Sequence, residues 1–371
     1  HRYGITKRSE RNRIMIKQSS FSKEWINTVS EKYQYHDRNL IEKVIRAYSL
    51  LEMLVQNGCP ATWKGGSSLM LILGDAASRL SVDIDIICPP GTDIMRYLNG
   101  YEQFGFTDCT MIERRQRSSV PKSHSKLHYE MAYKNEHQQE DAIVLDVLYE
   151  DSQYSRVDSR PIVSPFFESE EPAISVRVPS VNDILGDKLT AFAPNTCGIP
   201  YFKSGRTRSL DIIKQLFDVS RLMDAATDFS IVRDVFKKIV PIELGYREQA
   251  PDVAPVYEDI RQTALCISTR GAEGIGQFDL LQDGIKRMQA FMLRRRYVIE
   301  DAIVDSAKAA LLATMLEKGV DSFIPYSPDL EGLAELRLAD TVPVRLSRLR
   351  RNNPEAYYYW VKVSELLEEQ L

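Results

Sequence analysis

The chain has 371 residues, 43% hydrophobic and 27% charged, the balance of a folded globular protein long enough for two domains of ordinary size. No apolar run reaches the ~18 residues a membrane-spanning helix needs, and a formal net charge of -4 excludes a polybasic nucleic-acid coat, so any RNA contact must come from local patches. The five cysteines show no C-x-x-C spacing and no neighbouring His pair, which argues against a zinc site or a disulfide framework and for reduced thiols in the cytoplasm.

Residues 1–14 are Arg-rich and unpatterned and read as a flexible or appended arm, with Met15 a candidate start. From His36 to Gly58, Leu40, Ile41, Val44, Ile45, Tyr48, Leu51, Leu54 and Val55 recur at helical spacing and stop at a glycine, predicting a helix that packs on a sheet.

The next stretch, Trp63 to Cys88, is the most informative. Gly65 and Gly66 have no side chain and let the backbone approach a phosphate, Ser67 and Ser68 add hydroxyls, and a helix started at Ser67 would aim free N–H groups at an anion. The segment ends in an alternating strand, in which Asp83 and Asp85 project together on one face and Val82, Ile84 and Ile86 on the other. Two like charges roughly 7 Å apart on a strand repel, and a hard cation such as Mg2+ (or Mn2+) relieves them. Two solvated aspartates after an ordinary glycine turn would need no ion, and the turn is no Walker loop because no Lys-Ser/Thr follows it. The combination of a phosphate cradle and a carboxylate pair in one segment favours the metal.

Thr92–Phe104 reads as a helix and Phe106–Arg114 as a strand. Lys126–Lys134 alternates, with Leu127, Tyr129, Met131 and Tyr133 on one face. Ala142–Tyr149 is almost wholly apolar, the mark of a strand buried on both faces, with Asp146 in its middle; a carboxylate so placed needs a partner, either an Arg or amide cap or a metal. Asp146 is thus the third candidate metal ligand beside Asp83 and Asp85.

After Val178 the texture turns helical, placing a boundary near 179 between a 15–178 core and a 179–371 domain. Lys188 falls inside the apolar stripe of Ile184, Leu185, Leu189 and Phe192, where it either snorkels to water or meets an anion. In Lys203–Leu222 a polar stripe of Asp211, Lys214, Asp218 and Arg221 has the spacing of surface ion pairs. Ala302–Leu316 reads as a packing helix, and Tyr357 to Trp360 as core aromatics. Basic residues cluster at Arg114, Arg115, Arg117, Lys122 and Lys126, at Lys203, Arg206 and Arg208, and at Arg294–Arg296 with Arg345–Arg351; the first two flank the site elements and could hold a phosphate backbone.

The turn, short helix and h-D-h-D-h strand resemble the first motif of DNA-polymerase-β-like nucleotidyltransferases, and K-G-G-S-S-L at Lys64–Leu69 with R-L-S-x-D-I-D at Arg79–Asp85 is similar to the AbiEii/AbiGii toxin branch. The resemblance implies an α/β (α+β) fold, with a mixed-sheet core flanked by helices and a mainly helical C-terminal domain completing the nucleotide site. It implies Lys188, in GDKLTA, as a triphosphate contact, and a basic residue followed by a helical Asp: Arg206 or Arg208 with Asp211, favoured because it lies nearer the basic loop, or Lys214 with Asp218. The reaction implied is metal-assisted transfer from an NTP to an RNA acceptor, the tRNA 3′ end, by the toxin of a toxin–antitoxin or phage-defence pair, blocking translation. Two alternatives keep less of this: nucleotidylation of a protein hydroxyl, and an inactive nucleotide-binding regulator.

Overall fold

The computed structural model describes residues 13–116 and 125–369. The first twelve residues, the Ser/Pro loop carrying Arg117 and Lys122, and the side chains of Arg114 and Arg115 lie outside what is described.

The chain begins with helices α1 (Lys23–Tyr33) and α2 (Arg38–Gln56). The second starts where expected, because Asp37 caps it by accepting from the Leu40 N–H at 3.0 Å. There follow β1 (Thr62–Lys64), α3 (Gly65–Ile72), β2 (Ile84–Cys88), β3 (Asp108–Gln116), β4 (Ser125–Lys134) and β5 (Glu140–Tyr149). Strands β1 to β5 form one mixed sheet in the order β1-β2-β5-β4-β3, parallel between β2 and β5 and antiparallel elsewhere. A hairpin of β6 (Val157–Pro161) and β7 (Ser175–Pro179) leads out of this half.

The second half contains α4 (Val181–Ala191), the two-residue strands β8 (Phe202–Lys203) and β9 (Arg206–Thr207), and helices α5 (Ser209–Ala225), α6 (Phe229–Tyr246), α7 (Ala254–Ser268), α8 (Phe278–Met288), α9 (Ile299–Lys318), α10 (Leu349–Asn352) and α11 (Pro354–Glu368). The α+β class expected from the sequence is therefore the observed one. Tyr357 to Trp360 are buried in α11 as core aromatics.

Two hydrophobic cores form. One, from residues 16 to 178, lies between α1, α2 and one face of the sheet; the other joins helices of residues 184 to 363 and takes in Leu69 from α3. The halves are also joined by backbone: Leu80 N–H donates to Phe291 O at 2.8 Å and Leu293 N–H to Ser78 O at 3.0 Å, making Arg79 and Met292 an antiparallel bridge.

Three sequence expectations need correction. Residues 92–104 form no continuous helix but two 3-10 turns, Ile94–Arg96 and Tyr101–Phe104, separated by Gly100 at φ +81°, a conformation that a helix cannot pass through. Helix α3 starts at Gly65, two residues before Ser67. Strand β5 is not buried on both faces: Ile143, Leu145, Val147 and Tyr149 face the core, while Val144, Asp146 and Leu148 lie half-buried on a face the second half only partly covers.

Candidate active site

Strand register builds the site. Lys64 of β1 pairs with Asp85 of β2, Asp85 with Asp146 of β5, and Asp146 with His128 of β4. Register partners present their side chains on the same face, so four strands lay down one transverse row, Lys64–Asp85–Asp146–His128. Behind the row, Ile84, Ile86, Leu145 and Val147 anchor the opposite face in the core.

The glycine turn is shaped by this row. Gly65 has φ +79°, and a Cβ there would fall 2.0 Å from Asp85 Oδ2; on Gly66 a Cβ would come within 2.6 Å of the Arg79 guanidinium. The two glycines let one carboxylate and one cation close in on the start of α3. The serines after them turn inward. The Trp63 indole N–H donates to Ser67 Oγ at 3.1 Å, and Ser68 Oγ donates to Gly65 O at 2.8 Å, and both residues are buried.

Burial, with Asp146 and Asp83 as like-charged neighbours, pushes the Asp85 carboxyl up to about 7, against the pull of Lys188 and Lys64. Asp83 lies just ahead of β2 with part of its side chain exposed; the protein packed around it raises its carboxyl, as do Asp146 and Asp211, while Lys214 and Lys43 oppose the rise. The Asp146 side chain is 33% exposed and hydrogen bonds to His128 Nδ1. Among the described residues, no three His, Cys, Asp or Glu side chains cluster tightly enough to hold a metal ion unaided. What the row offers is a carboxylate pair, Asp85 with Asp146, the number of protein ligands that Mg2+ commonly takes while water and substrate phosphates fill the rest of its shell.

The row opens onto a cleft of about 790 Å³. It is lined by Lys64, Asp85, Asp146 and Asp187 and by the cations Lys126, Lys203, Arg208 and Arg247, with Glu243 pairing Lys126 at 3.2 Å. The cations Lys203 and Arg208 are presented by the β8–β9 hairpin, a two-residue turn with Ser204 at φ 51° and Gly205 at φ 74°.

The second half supplies a buried charge node. Asp218 of α5 accepts from Arg79 through both oxygens, at 2.7 and 2.6 Å, and its Oδ2 is also 2.9 Å from Lys188 Nζ. Burial pushes the Asp218 carboxyl up, but Arg79 and Lys188 outweigh it and hold the group below its ordinary value. Lys188 is 7% exposed and also donates to Gln215 Oε1 at 2.9 Å. Asp211 is a half-buried neighbour of Arg208, its partner at 2.5 Å, so of the two helix carboxylates considered it is Asp218 that meets Lys188. Lys214, one turn from each, lies 3.7 Å over the Phe291 ring and is lowered to about 8 by burial and by Arg79, against Asp211, Asp83 and Asp218.

Sequence reasoning gave no separate role to Lys64, Asp187, His128 or Arg79. For Lys64 and His128 a signal existed, since each is the polar residue of an alternating segment on the Asp-bearing face; for Arg79 and Asp187 only the folded chain shows the partner. No individually curated protein matches the chain. The family model described as nucleotidyl transferase AbiEii toxin, type IV TA system, matches residues 49–325, a span that includes the carboxylate row, the glycine turn, Lys188 and all of α5. A match over that length, on the residues that shape the cleft, means that the chain belongs to the AbiEii family of nucleotidyl transferase toxins of type IV toxin–antitoxin systems.

Proposed function

We propose that this nucleotidyl transferase works with Mg2+ (or Mn2+) and passes nucleotides from an NTP to an RNA 3′ end, the tRNA acceptor end, so that translation stops until a cognate antitoxin intervenes. The observation that carries this reading is the register pairing of Asp85 with Asp146, two carboxylates held side by side in a cleft that lysine and arginine side chains also line. A divalent cation bound there would supply charge neutralisation to the attacking and leaving oxygens of an in-line displacement. Asp85 and Asp146 would hold it, with Asp83 beside them. Gly65 and Gly66 leave room for phosphate against the backbone, and the Lys188–Asp218 pair fixes α4 and α5 beside the row. His128 orients Asp146. The cleft residues Lys126, Lys203 and Arg208 suit a polyanionic acceptor, which they would hold by its backbone. No helix among the described residues is long and apolar enough to cross a membrane.

The test is incubation with each α-labelled NTP and Mg2+, offering total tRNA and, separately, cell protein. Label at RNA 3′ ends, read by sequencing those ends, is the expected result. Label on protein overturns the acceptor, and a folded enzyme that labels neither overturns the reaction.

A further inference from the structure

Of the lysines that line the cavity, Lys64 is the one paired in register with Asp85. The ammonium of Lys188 is instead turned into the node with Asp218 and Gln215. Lys64 Nζ stands 2.9 Å from Asp187 Oδ2, with both side chains about four-fifths buried, and Asp187 also lines the cavity. The same Oδ2 accepts a second hydrogen bond, from the Tyr154 hydroxyl at 2.5 Å. Asp187 thus has two donors on one oxygen and keeps one if the other leaves. Lys64 is also the row neighbour of Asp85, the position a phosphate on the carboxylate-bound cation would approach.

From this arrangement we propose that Lys64 is a phosphate-binding residue that exchanges partners: in the free protein it is parked on Asp187, and when the triphosphate enters it moves to phosphate oxygens while Tyr154 keeps Asp187 satisfied. The inference deepens the nucleotide-transfer reading and depends on it. Leaving a buried carboxylate without a donor is costly, whereas leaving it with one is not. Tyr154 therefore makes the exchange accessible, and the cleft changes its charge arrangement without any backbone movement. Tyr154 is a positioning residue: it would never touch the nucleotide, yet it sets how readily Lys64 can be released.

The experiment is calorimetric titration of the full chain, in Mg2+, with inorganic tripolyphosphate and with each of the four NTPs. Lys64→Met should weaken binding of both kinds of ligand by roughly tenfold or more, the size of one lost charge-assisted hydrogen bond, and Lys64→Arg should restore part of it. Tyr154→Phe should weaken binding about threefold or more although it removes no ligand contact, and that effect should vanish in the Lys64→Met background. Folded Lys64→Met protein that binds tripolyphosphate as the wild type does overturns the proposal. Unchanged binding by Tyr154→Phe also overturns it, and decides the matter if Lys64→Met does not fold. If the wild-type chain itself binds none of these ligands, it is the nucleotide-transfer reading that fails.

Discussion

Two kinds of carboxylate stand out, one lining the cleft and one buried in the node beside it, and the fold treats them in opposite ways. Asp218, on a helix, has a bidentate guanidinium and an ammonium within 3 Å and is held ionised. Asp85, on a strand, has another carboxylate as its register partner and is pushed toward its protonated form. Both are surrounded by protein, so burial alone does not separate them; the sign of the nearest charge does. Compensated charge is a brace between the two halves. Uncompensated charge is a cost that the folded chain carries.

The sharpest way to break this contrast is to remove one member of each group. Asp85→Ala should lower nucleotide transfer by about three orders of magnitude or more, since the charge-stabilising ligand is lost, while the thermal midpoint without divalent ions holds or rises as repulsion is relieved. Transfer at the wild-type rate would dismiss the row as the site. Asp218→Ala should do the reverse to stability, costing about 3–5 kcal/mol in urea unfolding because Arg79 and Lys188 would be stranded in a dry interior. A loss below about 1 kcal/mol would mean that the node is not a brace.

Acidity gives a third comparison. The folded-state value for Asp85, about 7, lies above the unfolded value near 3.9, so the folded chain binds its proton more tightly. Its contribution to stability is fully present below about pH 4 and is lost as pH rises through about 7. Asp218 is depressed, so its contribution is present above the ordinary carboxylate range and is lost as pH falls through its lowered value. In EDTA, Asp85→Asn should flatten the decline of stability between about pH 4 and 7; urea midpoints that keep the wild-type slope would place the proton elsewhere.

The smallest effect belongs to the cleft cations. Arg208→Ala and Asp211→Ala break a pair that is about one-third exposed at both ends, so each should shift stability by less than about 1 kcal/mol. Arg208→Ala should also weaken RNA binding and lower the slope of log K against log salt by about 0.7 to 0.9, measured by filter binding at several salt concentrations.

Much of this was legible in the chain. The helix read over residues 36–58, observed over 38–56, was legible from an apolar stripe that stops at Gly58, and β2, β4 and β5 from alternation or apolar runs. Residues 92–104 misled because Ile94, Leu98 and Phe104 are core residues at loosely helical spacing, while Gly100 and Gly105 in the left-handed region break the backbone between and after them. Asp146 misled for another reason: Val144 and Leu148 are apolar yet line a face left half-open, and an apolar run does not say whether a second layer covers it fully. The pairs Arg79–Asp218 and Lys64–Asp187 were beyond reach, since the first joins positions 139 apart and nothing local marks either end. The polar stripe of α5 did contain Asp218, but choosing between it and Asp211 required knowing which turn of the helix faces the first half.

One small contact has a wider consequence. Leu69 follows the glycine turn by three residues, yet its side chain is packed into the helical core of the second half, and Arg79, in the segment leading into β2, is bridged to Met292. Severing the chain at residue 179 would therefore leave an empty apolar socket on one fragment and an orphaned plug on the other. The plug and the buried charge node therefore tie the halves together at two different places, one apolar and one ionic.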